Sequence, residues 1–220
     1  MFKQIREDIE TVKKRDPAAR STIEILFLYP GLKAVRMHRR ANFFYRHGFM
    51  FIARMISQRC SRITGIEIHP AAKLGKHFFI DHGTGVVIGE TAEVGENVTL
   101  YQGVTLGGTG KELGKRHPTL GNNVMVGAGA KILGPVIIGD NSRIAAGAVV
   151  VHNVPPDSTA VGIPAQVIKR EGIRLEIEDL DQVSIPDPVA NELDLLRKEV
   201  DELRKLNGLI PEGESEDENI

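Results

Sequence analysis

Aliphatic residues return every six positions through the middle of this chain, and that period excludes most folds. Ile68, Leu74 and Ile80 are followed, after a slip of two, by Ile88, Val94, Leu100 and Leu106; after an interruption come Leu120, Val126, Ile132, Ile138, Ile144 and Val150. Six steps rotate an α-helix through about 600°, so residues six apart do not share a helix face. A continuous strand has period two and would bury the intervening Gly and polar residues. Period six therefore requires a short flat strand, a corner, and one large apolar side chain pointing inward per side, with three sides closing a triangular coil. Four residues after each aliphatic lies a position that is usually small or β-branched: Ala72, Thr84, Ala92, Val98, Val104, Val124, Ala130, Val136, Ser142 and Ala148. Gly95-Glu96-Asn97, Gly121-Asn122-Asn123 and Gly139-Asp140-Asn141 read as corners where positive φ is needed.

The flanks differ in character. Phe2, Ile5, Ile9 and Val12 recur at helical spacing until Asp16-Pro17. Two or three more helices are expected between Thr22 and Arg62, broken near Tyr29-Pro30-Gly31 and His47-Gly48. Beyond residue 170, Val189, Leu193, Leu196, Val200 and Leu203 follow the steps of a coiled-coil seam. That seam fits either a small bundle on a three-fold body or a solitary amphipathic helix packed on its own subunit. The acidic end cannot bury enough apolar surface to fold alone. The expected organisation is thus a helical domain over 1–62, a repeat domain over 63–170 with a protruding loop at 108–118, and an extension over 171–220. The extension carries the candidate coiled coil at 188–207 and a disordered acidic tail at 211–220.

Residues 1–62 carry fourteen Lys and Arg against five Asp and Glu, whereas 171–220 carry five against sixteen, and the whole chain has a formal charge of −1. Nucleic-acid binding is excluded as a general function, because its footprint is a large basic excess. The basic face of the first helices is read as solvated surface and subunit contact rather than a membrane surface. Cys60 is the only cysteine, so no internal disulfide forms, and a reducing, cytoplasmic compartment is expected. No apolar run is long enough to cross a bilayer. A metal is not expected with one Cys and no ligand spacing; His69, His77 and His152 are read as corner or surface residues.

Chemistry must come from what breaks the repeat, since one scaffold hosts many activities. The first break is Phe79-Ile80-Asp81-His82-Gly83-Thr84-Gly85; the second runs from Gly107-Gly108-Thr109-Gly110 to Arg116-His117-Pro118. The glycine run has no Walker spacing and no strand-to-helix pattern, which excludes a phosphate loop. The strings IEIHPAAKLG, DHGTG, VVIGET, QGVTLGGTGK, KRHP and GAGAKILG, with RDPA near the start, closely resemble the serine O-acetyltransferases among the hexapeptide-repeat acyltransferases. They span about residues 66 to 168.

The resemblance implies an α+β chain: an N-terminal helical domain, then a single-stranded left-handed parallel β-helix, then a C-terminal helix and acidic tail. It implies acetyl transfer from acetyl-CoA to the hydroxyl of L-serine, the first step of cysteine biosynthesis. By the same resemblance His82 is the general base, the imidazole being suited to that role. Glu67 falls where the family more often has Asp, as the carboxylate that orients the base. Asp16 and Asp81 stand on the ammonium side of the serine, Arg116 and His117 around its carboxylate and hydroxyl, and His117 also holds the tetrahedral intermediate. Gly108, Thr109, Ala128, Arg143 and Ala146 are the implied CoA contacts. A homotrimer is the implied minimum, with a hexamer left open. Cysteine synthase is the implied partner through Ile220, and L-cysteine the implied feedback inhibitor. Two rival readings are a different acceptor, such as a sugar or antibiotic, and a catalytically silent scaffold acting through the tail.

Overall fold

A computed structural model describes residues 2–110, 113–169, 196–200 and 203–204. Four helices open the chain: α1 (Phe2–Arg15), α2 (Thr22–Leu28), α3 (Pro30–Arg46) and α4 (Met50–Thr64). In α1, Ile9 and Val12 face the protein, while Lys13, Lys14 and Arg15 complement the negative end of the helix dipole. Ser21 caps α2 by accepting the Glu24 N–H at 3.1 Å, and Pro30 starts α3 where a missing N–H costs nothing.

Fifteen strands follow among the described residues. The first thirteen are two or three residues long: β1 (Glu67–Ile68), β2 (Lys73–Leu74), β3 (Phe79–Ile80), β4 (Val87–Ile88), β5 (Glu93–Val94), β6 (Thr99–Leu100), β7 (Thr105–Gly107), β8 (Thr119–Leu120), β9 (Met125–Val126), β10 (Lys131–Leu133), β11 (Ile137–Ile138), β12 (Arg143–Ile144) and β13 (Val149–Val150). The longer β14 (Ser158–Gly162) and β15 (Ala165–Lys169) pair antiparallel and end the stack. Every third strand stacks in parallel, giving sheets β1-β4-β7-β10-β13, β2-β5-β8-β11 and β3-β6-β9-β12-β14-β15. This is a left-handed β-helix, a triangular prism with Ile88, Leu100, Leu106, Leu120, Ile132, Ile138 and Ile144 fully buried along its axis. Truncating any of these to Ala costs about 2–5 kcal/mol.

The register explains both breaks. Regular coils pair residues eighteen apart, such as Lys131 with Val149. The first coil pairs Glu67 with Val87, twenty apart, and absorbs the two-residue slip at its third corner. The coil carrying the loop pairs Thr105 with Lys131, twenty-six apart. The slip corrects one expectation: Thr84 is exposed, and Val86, two residues before Ile88, fills the inward position. The three corners do carry the positive φ expected of them, and the structure divides the work within each. Positive φ belongs to Asn97, Asn123 and Asn141, whose side-chain amides hydrogen-bond in series and end on Asp157. Gly95, Gly121 and Gly139 are instead required by close stacking: a Cβ on Gly95 would lie 2.5 Å from the Gly121 carbonyl oxygen.

Where two or three helices were expected between Thr22 and Arg62 there are three, and α3 and α4 close one end of the prism. Ala34 and Val35 of α3 and Cys60 of α4 pack against Ile66, Ile68 and Ile80, whose coil has no further coil above it. The approach is close, since a Cβ on Gly31 would lie 2.1 Å from the Ile80 carbonyl oxygen. Cys60 is buried there, and burial pushes its thiol pKa up. Residues 196–200 and 203–204, in a separate unit, are helical with Leu196, Val200 and Leu203 exposed. The remainder of the expected coiled coil, the acidic tail and Ile220 lie outside the described residues.

Candidate active site

His82 sits in the turn between β3 and β4 with φ 55°, and its ring is exposed rather than turned into the prism. A left-handed backbone at a non-glycine residue costs of order 1 kcal/mol, and here it directs a histidine out of a corner. Asp81 follows β3 directly, its N–H bonded to the Leu100 carbonyl at 2.9 Å. Burial raises the pKa of its carboxyl; the His82 charge and backbone N–H oppose that, and the Asp16 charge adds to it. Asp16 follows α1 and is held at both oxygens: Oδ1 accepts the Ala18 N–H at 2.8 Å and Oδ2 accepts the Tyr29 hydroxyl at 2.6 Å. Burial, the bond to Asp16 and nearby carboxylates push the Tyr29 pKa up to about 12, so it stays a neutral donor. The corner thus joins two carboxylates, Asp16 and Asp81, beside one histidine.

Glu67 opens β1 beside this corner, tied through its N–H to the Val86 carbonyl at 2.9 Å. Its carboxylate makes no hydrogen bond to His82 among the described residues, so the expected base-orienting pair is not formed here.

Arg116 and His117 lie on a different edge. The loop leaves after β7 and returns at β8, the corner between the first and second sheets, where Gly89-Glu90-Thr91 forms the turn of the coil above. Arg116 Nη2 donates to Glu90 Oε2 at 2.5 Å, and Lys115 Nζ donates to the Thr91 carbonyl at 2.7 Å. The His117 ring lies on Gly89: a Cβ there would stand 1.9 Å from His117 Cδ2. Burial first, then the Arg116 and Lys115 charges, lower the His117 pKa, with Glu90 opposing. His69 shares this corner; burial lowers its pKa, and Glu90, Arg54, His117 and Arg116 all act on it.

The expected CoA contacts are also divided. Ala128 and Ala146 occupy the corner below His82, in a column linked by Gly103 N–H to the Thr84 carbonyl, Gly129 N–H to Gln102 and Gly147 N–H to Ala128, at 2.8–2.9 Å. Arg143 is half-buried on β12 of the third sheet. Gly108 and Thr109 are exposed at the loop's root, where Thr109 faces Gly134. The residues that the sequence singled out therefore fall on two edges of one prism. Tyr29, Gly89, Glu90 and Thr91 were given no role by the sequence; VVIGET marked the last three as a motif, and nothing in the spacing pointed to Tyr29. Among the described residues no group of three or more His, Cys, Asp or Glu is arranged to hold a metal, and no helix is long and apolar enough to cross a membrane.

The family described as bacterial transferase hexapeptide (six repeats) matches residues 117–152. A serine acetyltransferase of Bacillus subtilis is 52% identical over 203 residues, 92% of this chain and 93% of that protein. Among solved structures, serine acetyltransferase of Neisseria gonorrhoeae in complex with serine superposes with a TM-score of 0.73 at 44% identity, over 76% of this chain and 68% of that one. Serine acetyltransferase of Brucella abortus in complex with coenzyme A superposes at 0.75 and 45% identity, over 78% and 68%.

Proposed function

The chain belongs to the serine acetyltransferase family, and from that premise we propose that it transfers the acetyl group of acetyl-CoA to the hydroxyl of L-serine. The products are O-acetyl-L-serine and CoA, in the first step of cysteine biosynthesis from serine. The observation that carries the reading is the Asp16–Asp81 pair beside an outward-facing His82. The Asp16 charge adds to the cost of ionising Asp81, a cation between them relieves it, and the ammonium of an amino acid is such a cation.

In this reading His82 takes the serine hydroxyl proton as the oxygen attacks the thioester carbonyl carbon. The new C–O bond forms, the carbonyl electrons move onto oxygen, and collapse breaks the C–S bond. His82 returns the proton to the departing thiolate. Arg116, set by Glu90, faces the substrate carboxylate, and His117 faces the oxyanion. Glu67 orients His82 once substrate is bound, with one methylene more reach than the commoner Asp. Gly108, Thr109, Ala128, Arg143 and Ala146 contact CoA, the alanines letting the pantetheine lie close to the backbone.

The two half-sites stand on different edges, so a complete site needs two copies of the chain. A homotrimer supplies three such pairings, and the helical domain offers exposed Phe27, Phe49 and Phe51 for any further step to a hexamer. We place the enzyme in the cytoplasm, with L-cysteine as feedback inhibitor and cysteine synthase as partner through Ile220. CoA thiol release from acetyl-CoA, compared across L-serine, D-serine, L-homoserine, a sugar and chloramphenicol, tests the acceptor; L-serine is expected to dominate. His82→Ala should lose at least ~100-fold in turnover while the oligomer persists. Near-normal turnover in that variant rejects the assigned base.

A further inference from the structure

The loop returns to the prism through one side chain. Thr91 Oγ1 accepts the backbone N–H groups of Arg116 at 3.0 Å and His117 at 3.1 Å, which occupies both of its lone pairs. Its own hydroxyl proton must therefore point elsewhere, and His117 Nδ1 lies 2.9 Å away. The Thr91 backbone N–H, which can only donate, also reaches His117 Nδ1, at 3.2 Å. Two donors converge on Nδ1, so that nitrogen carries a lone pair and the ring proton sits on Nε2. An imidazolium would set an N–H against both donors. His117 Nε2 has no partner among the described residues and is left with its donor unspent.

We infer that Thr91 is the positioning residue that locks His117 in its neutral Nε2–H tautomer, making it a hydrogen-bond donor to the oxyanion and not a second base. This rests on the acetyl-transfer reading for the identity of the oxyanion, but not for the tautomer. A neutral donor fixed before reaction stabilises developing negative charge without reorganisation. It also divides labour between the two histidines: His82 moves the proton, and His117 holds the charge. Burial on Gly89 and the charges of Arg116 and Lys115 act in the same direction on the ring, with Glu90 opposed and His69 sharing the corner.

The test is nitrogen NMR of the imidazole rings in the full-length, substrate-free enzyme, with kinetics in parallel. Wild-type His117 is expected to be neutral and protonated at Nε2 at pH 7.5. Donation to the neutral ring disfavours its protonation, so Thr91→Val should raise the His117 titration midpoint. It should also lower kcat by about 10–100-fold with a smaller change in the KM for serine. Thr91→Ser, which restores the hydroxyl, should return both. A wild-type ring that is charged or protonated at Nδ1 overturns the inference, and this measurement needs no variant to fold. An unchanged midpoint in Thr91→Val, whatever its kcat, overturns it as well. Failure to acetylate serine would sink the functional reading while leaving the tautomer standing.

Discussion

Replacing Gly89 by alanine should disable the loop histidine while leaving the β-helix folded. The added Cβ would stand 1.9 Å from His117 Cδ2 and 2.1 Å from Nε2. Ordinary contact begins near 3.4 Å, so the ring must retreat by about 1.5 Å. That retreat breaks the bonds at Nδ1, which are only 2.9 and 3.2 Å long. The backbone has no reason to follow: Gly89 N–H still bonds the Leu106 carbonyl at 3.0 Å, and its carbonyl still accepts the Ala92 N–H at 3.2 Å. Overpacking at this site costs about 1–3 kcal/mol, and a displacement near 1 Å of a catalytic group costs on the order of 100-fold in rate. Thiol release at saturating L-serine and acetyl-CoA should fall by about that factor, with the far-ultraviolet circular dichroism unchanged. Gly110→Ala is the control, because a Cβ there meets nothing within 4 Å among the described residues, and it should turn over normally. Turnover in Gly89→Ala within about threefold of wild type would refute the placement of the ring, since 100-fold is expected.

Two further predictions concern pH. His38 is buried, Nε2 donating to the Ala72 carbonyl at 3.1 Å while Nδ1 has no partner among the described residues, and burial lowers its pKa from 6.5 to about 4. Between those values the unfolded chain binds a proton that the folded chain refuses, so stability falls as pH drops from 6.5 toward 4, by at most about 3 kcal/mol. His38→Gln, which keeps a donor for Ala72, should flatten the urea midpoint over that range; an equally steep loss would exclude His38 as its source. Asp81 has the opposite sign, its folded pKa being raised, so its ionisation at neutral pH costs stability. Asp81→Asn should raise the melting temperature at pH 7.5 and show no gain below the unfolded carboxyl's pKa, while the KM for L-serine rises at least tenfold. A KM that stays put would remove Asp81 from the ammonium side.

Much of this was readable along the chain. Each aliphatic at period six does lie on the prism axis, and the helices break at Tyr29 and His47-Gly48 where Pro and Gly demanded it. The two-residue slip hid one inward position, because Thr84 is small and β-branched like the residues that do point inward; only the pairing of Val87 with Glu67 shows that Val86 takes that place. At the corners, composition could not separate the two jobs that Asn and Gly perform, since a turn residue and a stacking residue both favour small side chains.

Local period determined which residues face the core, because on a flat two-residue strand the facing direction follows from register alone. That inference needs no knowledge of distant residues. What the tertiary structure decided is where the chemistry meets. Tyr29 reaches Asp16 across a helix, and Thr91 reaches His117 across twenty-six residues of chain. The first bond exists because α2 folds back beside the end of α1, the second because stacked coils bring one turn above another, whatever the intervening loop does. The division of the candidate site between two edges has the same origin: the slip and the loop fall at different corners of the triangle, so no single prism can unite them.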